Sequence, residues 1–469
     1  MTYRETLDFL YAQLPMYHRI GPAAFKKDLT NTLALCEYLG NPHLKFRSIH
    51  VGGTNGKGSV SHILAAVCQA AGLKTGLYIS PHYKDFRERI KVNGQYIPRA
   101  GVVDFMTQHR AAIERIQPSF FELCVAMAFD HFAREQVAVA VIEVGLGGRL
   151  DSTNVITPLL SVITNISYDH VNMLGDTLPQ IAFEKAGIIK PGIPVVIGET
   201  HPESAPVFLK KASETGSEIV FADQHFEVRE VTGKEQSIIS ESTVYNVFKN
   251  KKLFLENLKV QAAGPYQARN LATALQAVEM LAVPAVPADL SAVFSAAEAA
   301  GTRHFGLPGF SAAKAAGTVR EGLARLKGLT RFMGRWQVIG RHPTVLCDSA
   351  HNEAGLRSAF ENINRHMAPE IQNTKHETRH LHVVTGFVND KDVDHVLGLF
   401  PPYARYYFAK ADIPRGLEAA VLKEKAAGHG LKGKSYTSVK NALKAARRAA
   451  APEDLIVVTG SIFVVAEVL

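Results

Sequence analysis

A β-branched, apolar run at residues 46–53 ends in glycines and leads straight to a helix-spaced segment at 59–71. No other feature of the chain constrains its fold as strongly. In the second segment Val60, Ile63, Leu64, Val67 and Cys68 recur at the spacing that puts them on one helical face. The junction reads Gly53-Thr54-Asn55-Gly56-Lys57-Gly58-Ser59. Glycines let a backbone curl until successive N–H groups point into one concavity, and the following helix N-terminus adds positive potential. Lys57 can then reach the outer phosphates of a nucleotide. The general phosphate-loop spacing is not met, because position 51 is Val and Gly58 stands where Ser or Thr follows the lysine. The strand–loop–helix context outweighs that departure. Thr54, Asn55, Gly56, Lys57, Gly58 and Ser59 are therefore read as nucleotide-binding, the alternative being a Gly-rich surface turn.

The same alternation continues. Strands are expected at 75–80, 137–144, 159–166 and 194–198, and helices at 119–134 and 178–188, which predicts a mostly parallel sheet covered on both faces. Residues 226–260 alternate over short segments with polar breaks, as an antiparallel excursion packed on the main sheet would. Helices follow at 267–281 and 289–299. Residues 301–317, dense in Gly, Ala and Pro, are the most linker-like stretch. A second α/β pattern begins after it: strands at 344–347, 381–385, 405–408 and 455–459, and helices at 353–366, 392–400, 416–427 and 439–449. It reads as a smaller open α/β domain.

With 469 residues, 46% apolar and 20% charged, the chain suits a globular enzyme of two domains. Cys36, Cys68, Cys124 and Cys347 are too scattered for a metal or disulfide framework and read as reduced thiols. Residues 1–14 carry Arg4, Glu5 and Asp8 and lack the apolar core of a secretory leader, and no run reaches the roughly 18 apolar residues of a membrane span. A cytoplasmic protein without membrane contact is expected. The net charge of +8 raises nucleic acid as a partner, but the basic residues are spread and not interleaved with aromatics. Several anionic small molecules are the better match.

Further strings occur in order along the chain: Leu77-Tyr78-Ile79-Ser80-Pro81-His82, Phe86-Arg87-Glu88-Arg89-Ile90, Phe120-Phe121-Glu122, the glycine-rich stretch from Glu143 to Asn154, Asp169-His170 and Glu184-Lys185-Ala186-Gly187-Ile188. The second half adds Gln267-Ala268-Arg269-Asn270, Gly334-Arg335-Trp336, Asp348-Ser349-Ala350-His351-Asn352 and Thr459-Gly460-Ser461. With the phosphate loop, this ordered set resembles the Mur-ligase superfamily, and within it the folylpolyglutamate synthase/dihydrofolate synthase branch. The resemblance implies a two-domain Mur-ligase-like α/β fold. A P-loop parallel-sheet domain (1–300) would be joined by a linker or insertion (301–330) to a smaller Rossmann-like domain (331–469). It also implies a Mg-ATP-dependent ligase that joins L-glutamate to dihydropteroate, a reduced folate, or both, through an acyl phosphate, in a chain expected to be a monomer.

Glu143 ends a buried apolar strand, where a carboxylate without purpose is costly to desolvate. A loop-ordering ion pair with Arg149 is the alternative. By resemblance Ser80, Glu143 and His170 ligate magnesium. Lys185 would carry a carbamate that ligates a second ion, or else act as a phosphate counter-charge; only a neutral amine takes up CO₂, so the carbamate requires burial. Asn270, Arg335 and Asp348 would grip the nucleotide and His351 a phosphate, with Lys57, Lys185, His170 and His351 as the catalytic set. Ser349 and Asn352 are open to reading as plain helix caps. The pterin side resembles the family at Arg19, Gly21, Phe121, Glu122, Arg149, Leu150 and Asp151. Phe121 would stack on the pterin, and Glu122 or Asp151 would accept its amino hydrogens. A core aromatic and capping carboxylates remain the alternatives. Two rivals stand: a peptidoglycan-type amino-acid ligase, for which only about 50 residues precede the loop, and a P-loop ATPase that is no ligase.

Overall fold

The structure is a computed structural model that describes residues 1–15, 28–231, 240–282, 306–307, 310, 312–367, 379–389 and 393–469. Its first sheet has eight strands: β1 (Arg47–Gly52), β2 (Thr75–Tyr78), β3 (Ile90–Val92), β4 (Gln95–Tyr96), β5 (Val139–Glu143), β6 (Leu160–Ile163), β7 (Val195–Ile197) and β8 (Ile219–Phe221). They lie in the order β4-β3-β2-β5-β1-β6-β7-β8. All pairs are parallel except β2–β3 and β3–β4. β1, β5 and β6 are almost wholly buried, as expected of strands covered on both faces.

The helix that follows the phosphate loop, α1 (Lys57–Ala70), lies across this sheet. Its buried Val60, Ile63, Leu64 and Val67 share one core with Ile49, Val51, Val141 and Val162. The other face is covered by α2 (Phe120–Arg134), whose Ser119 and Glu122 form a capping box at its start. α3 (Leu178–Ala186) and α4 (Gln267–Leu281) complete the surroundings of the loop.

The antiparallel excursion is a sheet of β9 (Phe226–Glu230), β10 (Thr243–Lys249) and β11 (Lys252–Val260). It packs on helices and not on the main sheet: β9 rests against α4, and β11 against α5 (Ala312–Ala324). The stretch read as a linker differs from expectation as well. Residues 312–324 are helical, Leu326–Thr330 forms a further turn of helix, and Val319, Leu323 and Leu326 are buried in the core that holds α1. The expected helix at 289–299 lies outside the described residues.

The second lobe is a six-stranded sheet of β12 (Gln337–Gly340), β13 (Thr344–Cys347), β14 (Leu381–Thr385), β15 (Arg405–Ala409), β16 (Gly433–Tyr436) and β17 (Leu455–Thr459), ordered β12-β13-β17-β14-β15-β16. Only β12 runs antiparallel. α6 (Glu353–Met367) and α7 (Val439–Ala449) cover its two faces. The four cysteines are buried, and burial pushes each thiol up to about 12. Among the described residues no helix is long and apolar enough to cross a membrane.

Candidate active site

Strand register brings the first groups together. Val51 pairs with Glu143 and Gly52 with Ile163, so the phosphate loop, Glu143 and the loop after β6 all leave the same sheet edge. The loop is stitched to its neighbour. Thr54 N–H donates to the Asn165 carbonyl (2.8 Å), Asn55 N–H to Asn165 Oδ1 (3.0 Å), and Thr164 Oγ1 to the Asn55 carbonyl (2.6 Å). Gly53 and Gly56 take left-handed φ values of 131° and 86°. A Cβ at Gly53 would lie 2.0 Å from Thr164 Oγ1 and one at Gly56 2.2 Å from Asn270 Oδ1, so neither position admits a side chain.

Two ammonium groups meet at the loop. Lys57 Nζ donates to the carbonyls of Gly53 (3.0 Å) and Thr54 (2.9 Å), and Lys185 Nζ, from α3, donates to Gly53 (2.9 Å). Burial lowers the pKa of Lys57, with Glu143 and Asp169 opposing that shift. Burial, joined by the Lys57 charge, brings Lys185 down to about 7. Glu143 is 4% exposed. Burial raises its pKa against the pull of Lys57 and of the Ser80 N–H, which donates to Oε2 at 3.0 Å. Arg149 is not its partner, since that guanidinium pairs with Glu184 at 2.9 Å. The loop-ordering ion pair considered for Glu143 is therefore not formed.

The second lobe closes over this edge. Asp348 follows β13 and accepts from Trp336 N–H (2.9 Å), Ala350 N–H (2.9 Å) and the Tyr266 hydroxyl (2.5 Å). Asn352 and Asn55 exchange amide hydrogen bonds at 2.9 and 3.2 Å, and Asn352 also donates to Asp169 (3.2 Å). His351 Nε2 stands 3.4 Å from the same carboxylate. A cleft of about 430 Å³ remains between the lobes. It is lined by Thr54 to Ser59, Ser80, Glu143, His170, Lys185, Asn270, Arg335, Asp348 and His351.

Of the residues read as the pterin side, Phe121, Glu122, Arg149, Leu150 and Asp151 do not line this cleft. Phe121 lies on Gly145, where a Cβ would come 2.4 Å from its ring. Both carboxylates are engaged with their own chain. Glu122 Oε2 accepts from Ser119 N–H (2.6 Å) and Asn31 Nδ2 (3.2 Å), and Asp151 from Leu146 N–H (2.8 Å) and Thr153 N–H (3.0 Å). Arg149 is exposed and stacks over Phe183 at 5.6 Å, and Leu150 is half-buried beside it. Arg19 and Gly21 lie outside the described residues. Tyr83, Asn165, Asp169 and Tyr266 were not singled out from the sequence, although each bonds to a site element. Asp169 is the immediate neighbour of His170 in the sequence. The two tyrosines had no local signal, because their partners lie 82 to 266 residues away.

A phosphate loop on a parallel sheet, facing a second α/β lobe across a polar cleft, is the architecture of Mur-type ligases. The Mur ligase middle domain matches residues 51–278 and the Mur ligase glutamate ligase domain residues 334–462. A folylpolyglutamate synthase of Lacticaseibacillus casei is 33% identical over 100% of this chain and 98% of its own length. The Escherichia coli FolC structure in complex with DHPP and ADP superposes with a TM-score of 0.78 at 27% identity, covering 100% and 97% of the two chains. A bifunctional folylpolyglutamate synthase/dihydrofolate synthase of Yersinia pestis, complexed with AMPPNP and a Mn ion, gives 0.76 at 26%, covering 100% and 97%. The chain belongs to the folylpolyglutamate synthase/dihydrofolate synthase family.

Proposed function

We infer that the chain is an ATP-dependent ligase that joins L-glutamate to dihydropteroate and to reduced folates or their polyglutamates. One observation carries this reading: the phosphate loop, buried Glu143 and the Asp348–His351 turn converge on a single cleft from two lobes. A protein that only bound nucleotide would need the loop without the rest.

In the reaction an acceptor carboxylate oxygen bonds to the γ-phosphorus of ATP and ADP leaves. The glutamate amine then bonds to the acyl carbon, phosphate departs, and the nitrogen gives up a proton. Most of the work is positioning and charge stabilisation. The N–H groups of Gly56 to Ser59 and the Lys57 ammonium hold the β- and γ-phosphates. Asn270 and Arg335 grip the nucleotide from opposite lobes, Asp348 takes the ribose, and His351 faces a phosphate. A closed cleft also shields the acyl phosphate from water.

Glu143 fits a divalent cation. It is a buried carboxylate with one hydrogen bond, and burial opposes its charge unless a cation is near. Glu143, Ser80 and His170 would hold magnesium, which neutralises phosphate charge when bound. Lys185, buried and held near neutrality, suits a carbamate that would ligate a second ion. On the acceptor side the Phe121 ring would receive the pterin, with Leu150 and the exposed Arg149 beside it. Glu122 and Asp151 shape that subsite from behind, since their oxygens already accept backbone hydrogens. We place the protein in the cytoplasm as a monomer.

The test is ADP release from Mg-ATP and glutamate with dihydropteroate, tetrahydrofolate, a muramyl nucleotide or DNA added singly. Stimulation by both pteridine acids supports two activities and stimulation by one a single activity. Stimulation only by the muramyl nucleotide or only by DNA overturns the assignment.

A further inference from the structure

Tyr83 belongs to the first lobe, three residues beyond Ser80, yet its ring packs against the second lobe's core around Val345 and Cys347. Its hydroxyl sits among three groups of that lobe. Arg335 Nη1 donates to it at 2.6 Å, it donates to the Gly334 carbonyl at 3.2 Å, and Ser349 Oγ lies 3.3 Å away. The ring lies directly on Gly334, where φ is 73° and a Cβ would come 2.1 Å from Tyr83 Cζ. Only glycine leaves room for both that backbone and that ring.

The loop that presents Tyr83 is fixed from within its own lobe. The buried Glu88 carboxylate accepts the N–H groups of Tyr83 (2.7 Å), Lys84 (2.9 Å) and Asp85 (2.8 Å). The same loop begins at Ser80, whose N–H holds Glu143. A rigid arm therefore runs from the Glu143 end of the cleft into the other lobe and ends on the guanidinium that lines the opposite wall. Arginine carries its donors in a planar fork, so fixing one Nη directs the others.

We propose that Tyr83 is a positioning residue that aims Arg335 into the nucleotide cleft and ties the second lobe to the loop bearing Ser80. The proposal rests on reading Arg335 as a nucleotide contact. Tyr83→Phe keeps the ring and its packing on Gly334 and removes only the hydroxyl, and Tyr83→Leu keeps an apolar plug.

The experiment is a double-mutant cycle on affinity for a non-hydrolysable ATP analogue with magnesium, measured by calorimetry, with KM for ATP followed in parallel. Tyr83→Phe weakens binding about fivefold to tenfold and raises KM by the same factor, as loss of a hydrogen bond to a charged group predicts. Its Tm stays within about 2 °C of the parent, and Tyr83→Leu behaves alike. In an Arg335→Ala background Tyr83→Phe changes affinity by less than about twofold. Unchanged affinity in the parent background, or equal losses in both backgrounds, overturns the proposal while leaving the reading of Arg335 intact. Should Arg335→Ala bind as tightly as the parent, that reading falls and the proposal with it.

Discussion

Lys57 and Glu143 face one cleft as a half-buried cation and a buried carboxylate, each opposing the shift that desolvation imposes on the other. Glu143→Gln keeps the shape and the Ser80 bond but removes the charge. It should lower kcat at least about a hundredfold in steady-state kinetics. Lys185 separates two chemistries. If it acts as a carbamate, Lys185→Ala and Lys185→Arg are both at least about a hundredfold slower, and a short carboxylate added to the Ala variant restores part of the rate. A counter-charge role predicts instead that the Arg variant keeps most of the activity. At this scale the sequence was legible where a residue type had one use. Glycines with forced φ and a lysine beside them left little choice. Carboxylates were ambiguous: Ser119-Phe120-Phe121-Glu122 is itself a capping-box spacing, and that local role is the one Glu122 fills.

Among the elements, the strongly patterned ones matched their expected bounds. α4, α7, β14 and β17 coincide with the segments read at 267–281, 439–449, 381–385 and 455–459. The edge strands β4, β8, β12 and β16 left no clear pattern because they are two to four residues long and none is buried along its whole length. Residues 312–324 misled for a different reason. Their alanines suit a helix better than a linker, and glycine and proline upstream masked that preference. Leu323→Ala should destabilise the protein by about 2–5 kcal/mol in urea unfolding, whereas a side chain on an exposed linker would change stability by less than about 0.5 kcal/mol. β1 makes a second prediction. His50 is fully buried beside Thr153 (2.9 Å), and burial, with Lys190 adding to it, lowers its pKa to about 3. Above the unfolded value of about 6.5 neither state is protonated and stability is complete. As pH falls from there toward about 3, the unfolded chain gains a proton that the folded one cannot accept. Stability then declines by up to about 1.4 kcal/mol per pH unit. His50→Gln should flatten that slope in urea unfolding between about pH 6.5 and 4.

Polar side-chain pairs clasp the two lobes: Asn55 with Asn352, Asp169 with His351, Tyr266 with Asp348, and Tyr83 with Arg335. This is why the order of the lobes could be read from the sequence and their clasp could not, since each contact joins residues 82 to 297 positions apart. A ligand that fills such a cleft adds contacts to both walls. Magnesium nucleotide at a hundred times its dissociation constant should therefore add about 2.7 kcal/mol to the unfolding free energy, seen as a rise in Tm. The central claim is that an acceptor carboxylate is phosphorylated before the amine attacks. Dihydropteroate labelled with ¹⁸O in its carboxylate, turned over with Mg-ATP and glutamate, tests it by mass spectrometry of the released phosphate. One ¹⁸O per phosphate is the expected result, because the bridging oxygen leaves with phosphorus. Phosphate free of label while the amide product forms would contradict the account.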